Sequence, residues 1–164
     1  MIFNFQVFIL SKFGSIINRF KTLLDDNMTL SDEIIDKMVE AAREKANEIG
    51  LDISFAVYDE YGYQKYFRRF GNALLFSTTL VPAKAYTAAM MEMPTHVLAK
   101  LSAQGAPLQD VHVLDSKMTL VSGGYPLYID GKIAGGIGVG GGKGSEDDEI
   151  AKYVLEVFSK LTNE

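Results

Sequence analysis

Two glycine clusters and the acidic residues behind them could together form a ligand site. The clusters occupy residues 123–126 and 135–142, and the acidic run 145–148 follows directly. Because glycine has no Cβ, it lets a backbone approach a partner closely. The pattern predicts a crevice walled by bare backbone. Glu146 and Asp147 are either charges at a helix N-terminus or acceptors that line this crevice.

Residues 136–141 match the G-x-G-x-x-G pattern of dinucleotide sites, but their context argues against that role. The helix predicted after them is the last element, so no further strand can complete a βαβ unit. Its acidic first turn would repel a pyrophosphate group. The phosphate-loop pattern also fails, because Lys143 is followed by Gly144 rather than by serine or threonine.

Lys84 and His96 are the other side chains with candidate chemistry. Lys84 lies in an alanine-rich segment with Thr87 one turn further on. It is either a surface lysine or a cation that reaches over the sheet edge and holds a carboxylate or carbonyl oxygen in the crevice. His96 is an axial ligand, a proton donor or a plain surface histidine. The chain has only one other histidine, His112, and no cysteine, which excludes a multi-histidine or thiolate metal site within one chain.

The overall composition indicates a globular protein. The 164 residues are 48% hydrophobic and 23% charged, which is typical of a soluble domain with its own core. The net charge of −5 weighs against nucleic acid as a partner. Since no export signal is evident, we expect a cytoplasmic protein.

Hydrophobic periodicity and turn residues divide the chain into helices and strands. Ser31 is expected to cap a helix that ends near Ile49, and Pro82 is tolerable only in the first turn of its helix. Asp130-Gly131 is the best hairpin turn. The last helix should begin at Ser145. The other predicted elements are strands at 53–58, 63–69, 118–121, 124–129 and 132–139 and helices at 79–91 and 95–104, the latter capped by Thr95.

This order of elements predicts an α+β fold in one domain, residues 28–164, with about five antiparallel strands and helices on the faces of the sheet. Residues 1–27 form a separate extension with apolar side chains at helical spacing. Such a helix would pack on its own domain or on a sister subunit, and a membrane-surface contact by residues 1–24 is the alternative. Met28 is an alternative natural start.

Several segments of the chain resemble the GlcG/HbpS-like family, which includes the C-terminal domain of PduO-type proteins and is known for haem binding or degradation. The resemblance is carried by residues 84–89, Pro94-Thr95, the two glycine clusters and Glu146-Asp147, and it covers about residues 28–158. It implies a profilin-like fold with a five-stranded antiparallel sheet. It also implies a homo-oligomer, often an octamer, and haem binding in some members.

The chain departs from the family pattern at three places. Residues 71–73 are Gly-Asn-Ala where the family often has Asp-Gly-Ala, and Gly140 replaces the usual serine. Haem-binding members can use a histidine of the first helix, which is absent from residues 31–49. His96 could take its place only if it points into the pocket.

The leading interpretation is a small-molecule binding protein that takes haem, a related tetrapyrrole or another small anion in the glycine crevice. Lys84 would anchor an anionic group. An accessory enzyme of diol, glycerol or glycolate-type metabolism, and a structural assembly subunit, are the alternatives. The candidate ligand-binding residues are Lys84, Thr87, Gly123, Gly124, Pro126, Gly141, Gly142, Glu146 and Asp147.

Overall fold

The computed structural model describes residues 30–162, which form four α-helices and four β-strands. The helices are α1 (Asp32–Glu48), α2 (Ser77–Met91), α3 (Thr95–Leu101) and α4 (Gly144–Thr162), and the strands are β1 (Ser54–Asp59), β2 (Gln64–Arg69), β3 (Gly124–Ile129) and β4 (Lys132–Gly140). A short 3₁₀ turn spans Val111–Leu114. The α+β class predicted from the sequence is confirmed.

All strands pair antiparallel, in the order β2-β1-β4-β3. The β3–β4 hairpin turns at Asp130 and Gly131, whose φ angles of 48° and 75° are those of a type I′ turn. The hairpin predicted at this pair is therefore confirmed. The sheet has two different faces, and each is covered by helices.

One face carries the main core. Phe55 and Val57 of β1 and Ile137 and Val139 of β4 pack there against α1 and α4. The opposite face of β1 and β4 lies against α2, with Ala56 in contact with Val81 and Ala85. Helices thus cover both faces, as the apolar patterns require.

Glycines of β4 alternate along the strand and let α2 lie directly on the sheet. In a strand, every second residue faces the same side. A Cβ at Gly136 would lie 2.5 Å from the Ala85 oxygen, and one at Gly138 would collide with the Val81 oxygen. The glycine repeat therefore serves close packing of a helix, and residues 140–142 at its end also line a cleft.

The predicted fifth strand, at 118–121, does not form. The Thr119 N–H donates to the hydroxyl of Thr87 on α2, and the Val121 N–H donates to the Thr119 hydroxyl. Because side-chain oxygens take these donors, the segment pairs with no strand of the described residues 30–162. The four-stranded sheet corrects the prediction, and β3 is an edge strand.

Three predicted helix starts also need correction. Helix α2 begins at Ser77, so Pro82 lies in its second turn rather than its first. Thr95 is the first residue of α3 and does not cap it, because its hydroxyl accepts the Gly124 N–H at 3.1 Å. Helix α4 begins at Gly144, one residue before the predicted Ser145. The Lys143 N–H there donates to the Glu146 carboxylate. The Ser31 cap of α1 is confirmed, since its hydroxyl accepts from Ile34 N.

The predictions for residues 1–27 lie outside the residues that the structure describes. Among residues 30–162, no helix is both long and apolar enough to cross a membrane.

Candidate ligand-binding cleft

Lys84 is a fully buried lysine on the sheet-facing side of α2, with 0% of its side chain exposed. Alanines before and after it keep α2 thin, so that its stem runs between helix and sheet. The ammonium donates to the Val139 carbonyl oxygen and to Asp147 Oδ2, both at 2.7 Å. A lysine this deep is tolerated because its charge is paired and hydrogen-bonded.

Asp147 supplies that pairing from the first turn of α4. Its other oxygen, Oδ1, accepts the Gly142 N–H at 3.0 Å. The position near a helix N-terminus also favours the carboxylate. Burial raises the pKa of the Asp147 carboxyl above its ordinary value, while Lys84 and the Gly142 N–H act in the opposite direction.

The glycines of both clusters make room for this ion pair. A Cβ at Gly123 would lie 3.0 Å from Lys84 Nζ and 2.9 Å from Asp147 Cβ, and a Cβ at Gly124 would lie 2.5 Å from the Lys84 carbonyl oxygen. Gly123 also has a φ of 105°, which other residues rarely adopt. Lys84, Gly123, Gly124 and Asp147, singled out in the sequence, therefore meet in one place.

A cleft of about 140 Å³ opens beside the ion pair. Asp147 and the backbone of residues 140–142 form its polar side. Leu74 and Phe76, which are 69% and 61% exposed, stand at its apolar side. Its lining residues are Leu74, Phe76, Ser77, Leu80, Val121, Gly140, Gly141, Gly142, Gly144 and Asp147. The arrangement can hold a small apolar group against a charged floor.

The family model for "Haem degrading protein HbpS-like" matches residues 30–156, nearly all of the described chain. The chain belongs to the HbpS-like family. The expected relationship to this family is thus confirmed.

Named relatives of this HbpS-like chain differ in length. It is 31% identical over 138 residues to the corrinoid adenosyltransferase PduO of Salmonella typhimurium, and the match covers 84% of this chain but 41% of PduO. It thus spans less than half of that relative. The crystal structure of the PduOC–haem complex superposes with a TM-score of 0.76 at 32% identity, covering 79% of this chain and 95% of that one. A double mutant of Streptomyces reticuli HbpS superposes with a TM-score of 0.73 at 31% identity, covering 80% and 88%.

His96, the axial-ligand candidate, lies on α3 outside the lining of the cleft. Its Nδ1 is 3.8 Å from Asp148 Oδ2, and its ring centroid is 5.7 Å from that of Tyr125. Burial raises the pKa of the Tyr125 phenol. Of the described residues that line the cleft, none is a histidine. Within the described residues, the cleft therefore offers no imidazole to a haem iron.

The remaining residues singled out in the sequence have internal partners. The Thr87 hydroxyl donates to Ala83 O at 2.7 Å and accepts from Thr119 N at 2.9 Å. The Glu146 carboxylate accepts from Lys143 N at 2.6 Å. Pro126 lies on the edge strand β3 opposite Gly136, where a missing N–H is tolerated. Of the nine candidate ligand-binding residues, three line the cleft, namely Gly141, Gly142 and Asp147. The other six do not line it: Lys84, Thr87, Gly123, Gly124, Pro126 and Glu146.

Sequence reasoning missed the apolar side of the cleft. Leu74, Leu75 and Phe76 form a run of large apolar residues in a loop, each more than 60% exposed. Such a run outside any predicted element could have indicated an apolar wall of a site, because loops usually carry polar residues at their surface.

Proposed function

We propose that this chain is a small-molecule binding protein that takes haem or a related tetrapyrrole at the cleft beside Lys84 and Asp147. The observation that carries the proposal is the exposed apolar wall of Leu74 and Phe76 next to that buried ion pair. Membership of the HbpS-like family and the similarity to a haem-bound structure support the ligand class.

Binding at this cleft would use the ring face more than the metal. The apolar side chains would cover one face of the macrocycle, and the backbone at residues 140–142 would lie against its edge. A volume of about 140 Å³ is below the roughly 300 Å³ at which ligand pockets begin. A second copy of the chain would supply the remaining walls, which makes a homo-oligomer part of the proposal.

Titration with haemin and with iron-free protoporphyrin, followed by absorbance, tests the ring-face proposal. We expect saturable binding of both with similar affinity. Phe76→Ser should weaken both at least tenfold, about 1.4 kcal/mol. Leu114→Ser is the matched control, because Leu114 is 86% exposed and lies outside the cleft.

Other results of the titration would contradict the proposal. Non-saturating spectra with both compounds would exclude a tetrapyrrole ligand. Binding of haemin alone, abolished by His96→Ala, would move the site from the cleft to His96 and restore the axial-ligand interpretation.

An enzyme is the second candidate function, and the raised pKa of the Asp147 carboxyl favours it. A carboxyl with a raised pKa beside a lysine in a cleft is typical of proton-transfer sites. The natural substrates would be small carbonyl compounds of diol, glycerol or glycolate-type metabolism. Incubation of the protein with such aldehydes and 2-hydroxy acids, followed by proton NMR, should show turnover that Asp147→Asn abolishes. Spectra that stay unchanged over the whole set would exclude this function.

A further inference from the structure

A second cleft, on the α1 side of the sheet, collects most of the arginines of the chain. It has a volume of about 280 Å³, and three of the four arginines of the sequence, Arg43, Arg68 and Arg69, line it. The fourth, Arg19, lies outside the described residues. In a chain with a net charge of −5, such a concentration of guanidinium groups makes this cleft electrostatically distinct.

Two of these guanidinium groups have no carboxylate partner in the described part of the chain. Within residues 30–162, neither Arg43 nor Arg68 forms an ion pair. The Arg68 guanidinium lies 5.1 Å from the centroid of the Phe70 ring, which holds it over an apolar wall. Arg69 differs, because its Nε donates to the Ala73 oxygen and thereby ties down the following loop.

Acidic neighbours of the cleft are occupied by other contacts. Asp52 accepts the Asn72 N–H at 2.8 Å and supports the turn after β2. On α1, Glu44 accepts from the Tyr153 hydroxyl at 3.3 Å, and Glu48 pairs with Lys45 at 3.2 Å. The guanidinium groups of Arg43 and Arg68 can therefore pair with an anion that does not belong to the described residues.

We propose that the cleft between α1 and β2 binds an oxyanion, a phosphate or carboxylate group of a small molecule, through Arg43 and Arg68. Planar guanidinium groups match the geometry of these anions and bind them with paired hydrogen bonds. The amide of Asn47, which also lines the cleft, adds a neutral donor. This site is separate from the tetrapyrrole cleft, and the two proposals can fail independently.

Isothermal titration at low ionic strength, with inorganic pyrophosphate and with succinate, tests the oxyanion site. We expect saturable binding of at least one of them with one site per chain. The titrant that binds identifies the class of anion. Arg43→Gln and Arg68→Gln should each weaken it about tenfold. Both side chains are exposed, so these variants should fold normally.

Two further variants separate a built site from general charge attraction. Lys152→Gln removes an exposed positive charge outside the cleft and should leave the affinity unchanged. Asp52→Asn removes the acidic charge of the cleft and should tighten binding several-fold. Absence of saturable binding for both titrants, or an equal loss in the Lys152 variant, would overturn the proposal.

Discussion

At the residue scale, the ion pair of Lys84 and Asp147 is the most deeply buried charge pair among the described residues. Burying two charges costs several kcal/mol per ion, and their attraction repays this only with good geometry and further hydrogen bonds. Here the Val139 oxygen and the Gly142 N–H provide those bonds. The sequence singled out both residues, but their 2.7 Å contact joins positions 63 residues apart, which no local pattern could predict.

Removal of one residue of this ion pair should leave the other charge buried and unpaired, which lowers the stability of the fold. Asp147→Asn leaves the Lys84 ammonium buried without a counter-charge, so we expect the free energy of unfolding to fall by about 3–5 kcal/mol. Urea denaturation at neutral pH measures it. Glu40→Gln is the control, because the Lys37–Glu40 pair is exposed, and its loss should cost less than about 1 kcal/mol.

A double variant tests whether the loss of unfolding free energy comes from the interaction between Lys84 and Asp147. Lys84→Met combined with Asp147→Leu replaces both charges by apolar groups and should be less destabilised than the sum of the two single variants. Additive effects would contradict a coupled ion pair.

Tyr125 should make the protein sensitive to alkali. Burial raises the pKa of its phenol in the folded state above the value of about 10 in the unfolded chain. The stability from this group is therefore complete below pH ~10 and is lost as the pH rises further, by up to about 1.4 kcal/mol per pH unit. Tyr125→Phe should flatten the fall in unfolding free energy above pH ~10. Tyr61→Phe, at an exposed position, should not.

At the element scale, strand β4 explains why helix and sheet come so close. Ile137 and Val139 face the core under α1 and α4, while Gly136 and Gly138 face α2. The sequence predicted this strand and its hairpin correctly from alternation and turn residues. The prediction of a strand at 118–121 was wrong, because hydroxyl groups of Thr87 and Thr119 accept hydrogen bonds from the backbone N–H groups of this segment.

Close packing of α2 predicts that β4 tolerates no side chain at Gly138. Gly138→Ala should lower the free energy of unfolding by about 1–3 kcal/mol, because a Cβ there meets the helix backbone. Gly144→Ala is the matched control, since its Cβ would lie 3.4 Å from Ser122, an ordinary contact. Equal stability of the two variants in thermal or urea denaturation would refute the packing argument.

At the scale of the whole molecule, a run of exposed apolar side chains is the surface that we expect the proposed homo-oligomer to cover. Leu74, Leu75 and Phe76 are 69%, 71% and 61% exposed and follow one another along the chain, and a monomeric domain rarely leaves a contiguous patch of such residues in water. The homo-oligomer proposed above would bury them and would complete the walls of the small cleft.

The mass in solution tests this assembly. By light scattering after gel filtration, we expect a wild-type mass of at least twice the 18.1 kDa of one chain. Leu75→Glu should reduce it, because a charge in an apolar interface is costly. Lys132→Glu introduces the same residue at the exposed first position of β4 and should leave the mass unchanged. A monomeric wild-type protein would contradict the proposal.

Properties that depend on near neighbours along the chain could be predicted from the sequence. The Ser31 cap, the hairpin at Asp130-Gly131, the alternation of β4 and the α+β class all follow from local patterns of a few residues. Contacts between distant groups depend instead on tertiary packing. The partner of Lys84, the loss of the fifth strand and the convergence of Arg43 with Arg68 depend on how α1, α2 and the sheet pack, because such contacts join residues far apart along the chain.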